Sequence, residues 1–243
     1  FLAVLVTLAR MYSEGVVGWE LIVGGLAIGI LIGVIMATKV EMTGMPELVA
    51  LFNGFGGGAS ALVALSEVLG RLQEGNVPDA GVELYAIWVA IGLSGLVGWV
   101  TLTGSLVAMM KLKGGFVVPI SKKWVRFPTW GPPWLNVVKI ILFTGSLYFI
   151  WLTIGDPTNK DYIWGIVGLS SLLGILFVIP IGGADMPVVV SLLNSLSGIA
   201  AAFTGFVIGN NVLIIAGSMV GAAGLILTFI MCKAMNRTLP DVL

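Results

Sequence analysis

Long uncharged runs at 21–38, 48–66, 84–110, 162–184 and 186–232 alternate with short segments that hold most of the charge. A helix that crosses a bilayer needs about 20 apolar residues. The last run is long enough for two crossings, with Gly209-Asn210-Asn211 as the turn between them. The stretch 135–155 adds another, interrupted only by Lys139 near its start. Residues 1–9 read as the end of a further span already under way at Phe1, without the basic segment of a signal peptide, so a longer product is expected. The pattern predicts one partial and seven complete crossings, at about 1–11, 19–38, 46–69, 84–110, 135–154, 162–180, 187–208 and 212–235. The fold class is therefore all-α: a polytopic transmembrane helix bundle occupying 1–237.

The same runs contain a repeat. Met45-Pro46-x-x-Val49-x-Leu51-x-Asn53-x-x-x-Gly57 returns 141 residues later as Met186-Pro187-x-x-Val190-x-Leu192-x-Asn194-x-x-x-Gly198. Ala59 and Ala61 match Ala200 and Ala202, and the match fades beyond these 17 residues. Proline suits the first turn of any helix, which explains Met-Pro but not the shared Val, Leu, Asn and Gly. Four crossings separate the copies, so both helices run the same way through the membrane: a parallel internal repeat.

Charge orients the bundle. Lys39, Lys111, Lys113, Lys122, Lys123, Arg126, Lys233 and Arg237, with Lys139 just inside its helix, fall on one side, against Arg10, Arg71 and Lys160 on the other. Nine against three places the basic side, and the C-terminus, in the cytoplasm. Trp124, Trp130 and Trp134 form one interfacial belt; Trp19, Tyr85, Trp88, Tyr148, Trp151, Tyr162 and Trp164 form the other. The loop 111–133, with Pro119, Pro128, Pro132, Pro133 and its cations, reads as a surface loop on anionic headgroups, or as a docking surface for a soluble partner.

Composition narrows the chemistry. Hydrophobic residues make up 58% of the chain and charged residues 10%, and the formal charge is zero. Nothing points to nucleic acid. The single Cys232 forms no internal disulfide, and there is no histidine, the usual proton carrier near neutral pH. No Gly-x-Gly-x-x-Gly follows a strand and opens a helix; Gly54-x-Gly56-Gly57-Gly58 lies inside a span. No nucleotide or metal site is expected in this chain.

What polar residues the spans do carry fall in stripes. Asn53, Ser60 and Glu67 are seven apart on the third crossing; Ser94, Gly98, Thr101 and Ser105 share a face of the fourth; Ser191, Asn194, Ser197, Gly198 and Gly205 share a face of the seventh. These stripes either line a hydrated path or form interhelical hydrogen bonds, worth about 0.6–2 kcal/mol each. For serine and threonine the second reading is the stronger, since both bond their own helix readily. Asn53 and Asn194 each lie about 10 Å in from the cytoplasmic end, where an amide needs partners and often marks a pathway. Glu67, about 31 Å from Pro46, belongs near the outer surface. Asp185 follows the mobile pair Gly182-Gly183 before the seventh crossing, where a helix cap is the simplest role. Glu41 and Glu47 occupy the matching turn before the third crossing. The spacing of Gly25, Gly29 and Gly33, and of Gly217, Gly221 and Gly224, suits close helix packing.

Three segments carry a resemblance: Val40-Glu41-Met42-Thr43-x-Met45-Pro46-Glu47-Leu48-Val49-Ala50; Gly182-Gly183-Ala184-Asp185-Met186-Pro187-Val188-Val189-Val190-Ser191-x-Leu193-Asn194-Ser195; and Ile230-Met231-Cys232-Lys233-Ala234-Met235-Asn236-Arg237. Together they resemble the membrane domain of the beta subunit of proton-translocating NAD(P) transhydrogenase, a likeness that runs from residue 1 to about 240. The family couples hydride transfer from NADH to NADP⁺ to inward proton flow. The resemblance implies a bacterial plasma membrane location. It also implies an alpha subunit that binds NAD(H), an NADP(H)-binding domain for which 238–243 starts the connector, and a homodimer of the whole complex. Asn194 matches a polar residue of the family's proton channel, Asp185 an acidic residue at its cytoplasmic mouth, and Lys233 and Arg237 the basic end of the last helix. Many members carry histidine where this chain has Asn53. In some the histidine comes from another subunit, so a partner membrane helix bearing one is expected against the face of Asn53. A secondary transporter or ion channel would use the same stripes without redox chemistry, and a structural scaffold would need none of them.

Overall fold

A computed structural model describes residues 19–74, 82–117, 124–125 and 129–242. The described chain divides at Met45 into two units. The first contributes helix α1 (Trp19–Lys39) and a 3-10 turn at Met42–Gly44. Glu20 in the first turn of α1 and Lys39 in the last complement its dipole. The second unit holds α2 (Met45–Glu74), α3 (Val82–Leu112), α4 (Trp134–Gly155), α5 (Lys160–Val178), α6 (Met186–Val207), α7 (Asn211–Ala234) and a short α8 (Leu239–Val242). Seven of these helices are long and apolar enough to cross a membrane. They match the seven complete crossings expected from hydropathy; the partial span at 1–11, with Arg10, lies outside the described residues. A two-residue antiparallel ribbon pairs Phe116–Val117 with Trp124–Val125. It lies in the basic loop, whose Pro119, Lys122, Lys123, Arg126 and Pro128 are outside the described residues.

Local chemistry sets the helix ends. Asn159 caps α5 by accepting from the Asp161 amide (3.0 Å), and Asn210 caps α7 by accepting from the Leu213 amide (3.1 Å). Between α6 and α7, Gly209 takes φ +67°, and the Asn210 amide reaches back to Gly205 O at 2.8 Å. That left-handed residue closes α6 and makes the turn expected at Gly209-Asn210-Asn211. The end of α7 repeats the device with Asn236 at φ 53° and a bond from Arg237 N to Cys232 O.

Helix α3 is the hub of the second unit. A Cβ on Gly98 would lie 2.5 Å from Gly57 O, so α2 and α3 touch backbone to backbone. Thr103 Oγ1 donates to Ser171 O of α5 at 2.9 Å. A Cβ on Gly92 would meet Ile150 of α4 at 2.7 Å, and one on Gly104 would meet Leu193 of α6 at 3.3 Å. The α6–α7 hairpin is tighter still: Gly198, Gly217, Gly221 and Gly224 bring the two backbones together, as their spacing predicted.

The exposed Trp130, Trp134, Tyr85, Tyr148, Trp151 and Trp164 suit interfacial belts. Trp88 does not join them. It is 1% exposed and packs with Val68, Ile91, Ile163 and Val207. Its neighbours on α2, α5 and α6 close over it, so it anchors the interior instead. The side chains of Trp19 and Trp124 lie outside what is described.

Candidate functional site

The two copies of the Met-Pro repeat begin alike. Glu41 (φ −72°, ψ 156°) and Gly182 (φ −72°, ψ 157°) each lead into a 3-10 turn, and Met45 and Met186 follow in helical geometry. Gly44 N bonds Glu41 O at 2.9 Å, and Asp185 N bonds Gly182 O at 3.1 Å. Beyond the turns, α2 and α6 lie side by side in the same sense. Asn53 meets Val190 early on both helices, and Ser60 meets Thr204 later on both.

At the first of these meetings Asn53, 8% exposed, donates from Nδ2 to Val190 O at 3.1 Å. The amide of one copy thus binds the backbone of the other. Asn194 stands one helical turn beyond Val190, half-buried, and its backbone carbonyl oxygen accepts from Ser197 Oγ at 2.7 Å. Asn53 is thus bound to the α6 backbone one turn before Asn194, and no hydrogen bond among the described residues joins the two amides. A helix carries 3.6 residues per turn. On that phase Val190, Ser197 and Thr204 face α2, Ser191, Ser195 and Gly198 face α7, and Asn194 falls between the two faces.

The stripe expected on α6 therefore splits. Ser191 Oγ donates to Gly224 O (3.2 Å) and Ser195 Oγ to Gly221 O (2.6 Å), while Thr228 Oγ1 reaches Ser191 Oγ at 3.1 Å. Ser191 belongs to this α6–α7 hairpin contact, not to the seam holding Asn53. Ser197 does reach the seam, where a Cβ on Gly56 would be 3.8 Å away. The stripe on α3 faces α2 as expected. Thr101 packs on Gly57 and bonds its own Val97 O, and Ser105 packs on Gly54. Ser105 Oγ is buried with no hydrogen-bond partner among the described residues. Ser60 Oγ turns back to Gly56 O, while Ser60 O accepts from Thr204 Oγ1 at 3.2 Å. Ser94 Oγ and Thr204 Oγ1 stand 2.7 Å apart, and both are buried. Ser94, Thr204 and the carbonyls of Ser60 and Ala200 form one closed knot of hydrogen bonds across α2, α3 and α6. Glu67 stands apart from it, paired with Arg71 at 2.8 Å near the far end of α2.

The basic end of the bundle carries a second cluster. Asp185 and Arg237, assigned separately from the sequence, form an ion pair of 2.8 Å between Oδ2 and an Arg237 guanidinium nitrogen. The Asp185 side chain is 12% exposed and that of Arg237 50%. Asp185 makes no side-chain cap on α6, so its carboxylate serves α7's end and not its own helix. Its Oδ1 is buried without a partner among the described residues. Lys233 stays exposed in the last turn of α7, where a cation suits the dipole. Glu47 lies in the first turn of α2. Glu41 precedes the 3-10 turn of the other unit and is described only there. After Arg237 the chain folds back: Thr238 donates from its amide and hydroxyl to Asp241, capping α8, and Val242 is buried. Those two bonds hold the Asp241 carboxyl below its ordinary range.

Sequence reasoning counted Lys111 only as a charge. Its ammonium donates to Ile179 O and to Ile181 O, the latter at 2.7 Å, where α5 ends and the Gly182–Asp185 turn begins. The available signal was a basic residue in the last turn of α3 and Pro180, which ends α5 and leaves carbonyls free. Lys111→Met should lower the thermal midpoint of the purified protein by the equivalent of about 2 kcal/mol, because both carbonyls lose a charged donor. Lys111→Arg should recover most of it. An unchanged midpoint in the methionine variant would exclude the clamp.

No cluster of three or more metal-ligating side chains occurs among the described residues. The polar groups of the seam are amides and hydroxyls, which order protons but do not titrate near neutral pH.

Comparison with known proteins identifies the family. The profile of the NAD(P) transhydrogenase beta subunit matches residues 1–243. A protein of Rhodospirillum rubrum named NAD(P) transhydrogenase subunit beta is 42% identical over 236 residues, covering 97% of this chain and 48% of that protein. The same-named protein of Rhodospirillum rubrum strain ATCC 11170 gives the same identity and coverage. The chain spans about half the length of the curated relatives it matches. Seven long apolar helices and a family match along the full chain place this multi-pass membrane protein in the NAD(P) transhydrogenase beta subunit family.

Proposed function

We propose that this chain is the proton-conducting membrane module of an NAD(P) transhydrogenase, coupling hydride transfer from NADH to NADP⁺ to inward proton movement. The observation that carries the reading is the Asn53 amide bound to Val190 O, one turn from Asn194 and the one buried side-chain amide among the described residues. Burying such an amide in hydrocarbon is costly without a polar role. Asn53 has a second N–H and a carbonyl oxygen to offer. Asn194, between the α2 and α7 faces of α6, offers the same. Together they orient water, while a titratable group from another subunit carries the charge.

That group cannot sit directly over the Asn53 side chain, because α6 occupies that face. The open side of α2 is the exposed stripe Val49, Phe52, Phe55, Gly56 and Leu62. A helix of the alpha subunit bearing a histidine would lie along this stripe and reach the seam beside Gly56. At the cytoplasmic end, the Asp185–Arg237 pair ties the turn before α6 to the chain leading toward an NADP(H)-binding domain. Two states of that domain would move the turn and open the seam to one side at a time.

The test uses the intact enzyme in proteoliposomes. Asn53→Leu and Asn194→Leu should each slow proton-linked transhydrogenation by tenfold or more, with the complex still assembled. Unchanged proton-linked rates in both variants would refute the role of the amides.

A further inference from the structure

Helix α5 stops at Val178, two residues before Pro180, which has no amide to carry the helix on. A helix end leaves its last carbonyls without partners. Here Ile175 O is taken by the Ile179 amide at 3.1 Å and Val178 O by the Ile181 amide at 3.2 Å. Ile179 O and Ile181 O, on either side of Pro180, both go to the Lys111 ammonium. Lys111 lies in the last turn of α3, so one cation ties the end of α5 to the end of α3. The chain before α4 leans on the same place: a Cβ on Gly131 would lie 2.6 Å from Pro180 Cβ. Val178 and Ile181 are buried. Two other elements thus hold the segment that ends α5.

The packing changes at the next residue. A Cβ on Gly182 would come no nearer than 3.9 Å to its first neighbour, and one on Gly183 would meet nothing within 4 Å. Asp185 N closes the 3-10 turn on Gly182 O, and the Asp185 carboxylate pairs with Arg237. Two loosely packed glycines therefore lie between two charged anchors, Lys111 on the α5 side and Arg237 on the α6 side. Residues of this kind, at the ends of elements, absorb the backbone rotation of a hinge. Val190, whose carbonyl accepts from Asn53, is five residues past Asp185, about 7–8 Å along α6. We propose that Lys111 is a positioning residue for coupling. It fixes the end of α5 to α3, so a displacement of Asp185 by Arg237 is taken up at Gly182-Gly183 and delivered to α6. Helix α3 packs backbone to backbone on α2 at Gly57, so the Asn53 side of the seam stays with Lys111 while the Val190 side moves. Without the cation the end of α5 yields too, and part of the displacement is lost before Val190. The inference rests on the proton-conducting reading and adds the part that must stay still.

The experiment uses the full-length subunit in its complex, in vesicles loaded with a pH-sensitive dye, and reads protons moved per hydride transferred. Lys111→Met should lower that ratio about threefold, and Lys111→Arg should restore it. Gly92→Ala is the stability control: its Cβ would lie 2.7 Å from Ile150, so it strains α3 against α4, about 28 Å along α3 from Lys111. Its ratio should stay that of wild type. Gly182→Ala has room for its methyl but narrows the hinge, so the complex should assemble and its proton-linked rate should fall about threefold. Should the methionine variant fail to assemble, G182A decides alone. A ratio unchanged in K111M, a ratio lowered as much in G92A as in K111M, or a rate unmoved in G182A overturns the proposal while the proton-conducting reading stands. Wild-type vesicles that transfer hydride and move no protons would refute that reading and this one with it.

Discussion

Gly198→Val is expected to break the α6–α7 hairpin. A Cβ at Gly198 would lie 2.5 Å from Gly221 N and 2.9 Å from Gly217 O. Both obstacles are backbone, so no rotamer change relieves them; the helices must part. Overpacking of this kind costs about 3 kcal/mol. Separation also removes the bonds from Ser195 to Gly221 O and from Ser191 to Gly224 O, each worth about 0.6–2 kcal/mol in a membrane protein. The thermal midpoint in detergent should fall sharply, and much of the protein should fail to assemble. Gly70→Ala is the control: nothing lies within 4 Å of the added methyl, and alanine favours the helix, so the midpoint should hold or rise. A valine variant as stable as wild type would mean the hairpin is looser than described.

The second large effect is expected at the basic end. Arg237→Gln removes the partner of a carboxylate that is 12% exposed and already has one buried oxygen without a hydrogen bond. An uncompensated buried charge costs about 3–5 kcal/mol, but Arg237 is half exposed and water screens the pair, so about 1–3 kcal/mol is the relevant range. In proteoliposomes the proton-linked rate should fall by about tenfold while the complex remains assembled. Asp185→Asn should do much the same, and the double variant should be little worse than either single one, because both remove the same contact. Strictly additive losses would show that the two residues act independently.

The spans were legible because a bilayer imposes one length on every helix, and hydropathy measures that length directly. All seven described spans begin and end close to the expected residues. Axial depth was legible too: Asn53 binds α6 one turn before Asn194, and Asp185 and Arg237 meet at one end. Azimuth was less so. The stripe on α6 was read as one face, yet Ser191 and Ser197 lie about 120° apart at 3.6 residues per turn, enough to aim them at different neighbouring helices. Asn53 found a carbonyl and not Asn194, and Lys111 found two carbonyls; backbone acceptors exist at every residue and leave no trace in side-chain patterns. Trp88 was misplaced for a related reason. An aromatic near a span's end suits an interface, and only the long α2, with Val68 beside the ring, shows that this depth is still interior.

The turn at Asn236 directs the chain inward. Val242 ends among Ala50, Val107, Val178, Val189 and Cys232, which come from five different helices. The C-terminal turn is thus pinned against several helices of the second unit at once. A force on α8 therefore passes into those helix ends together and not into one of them.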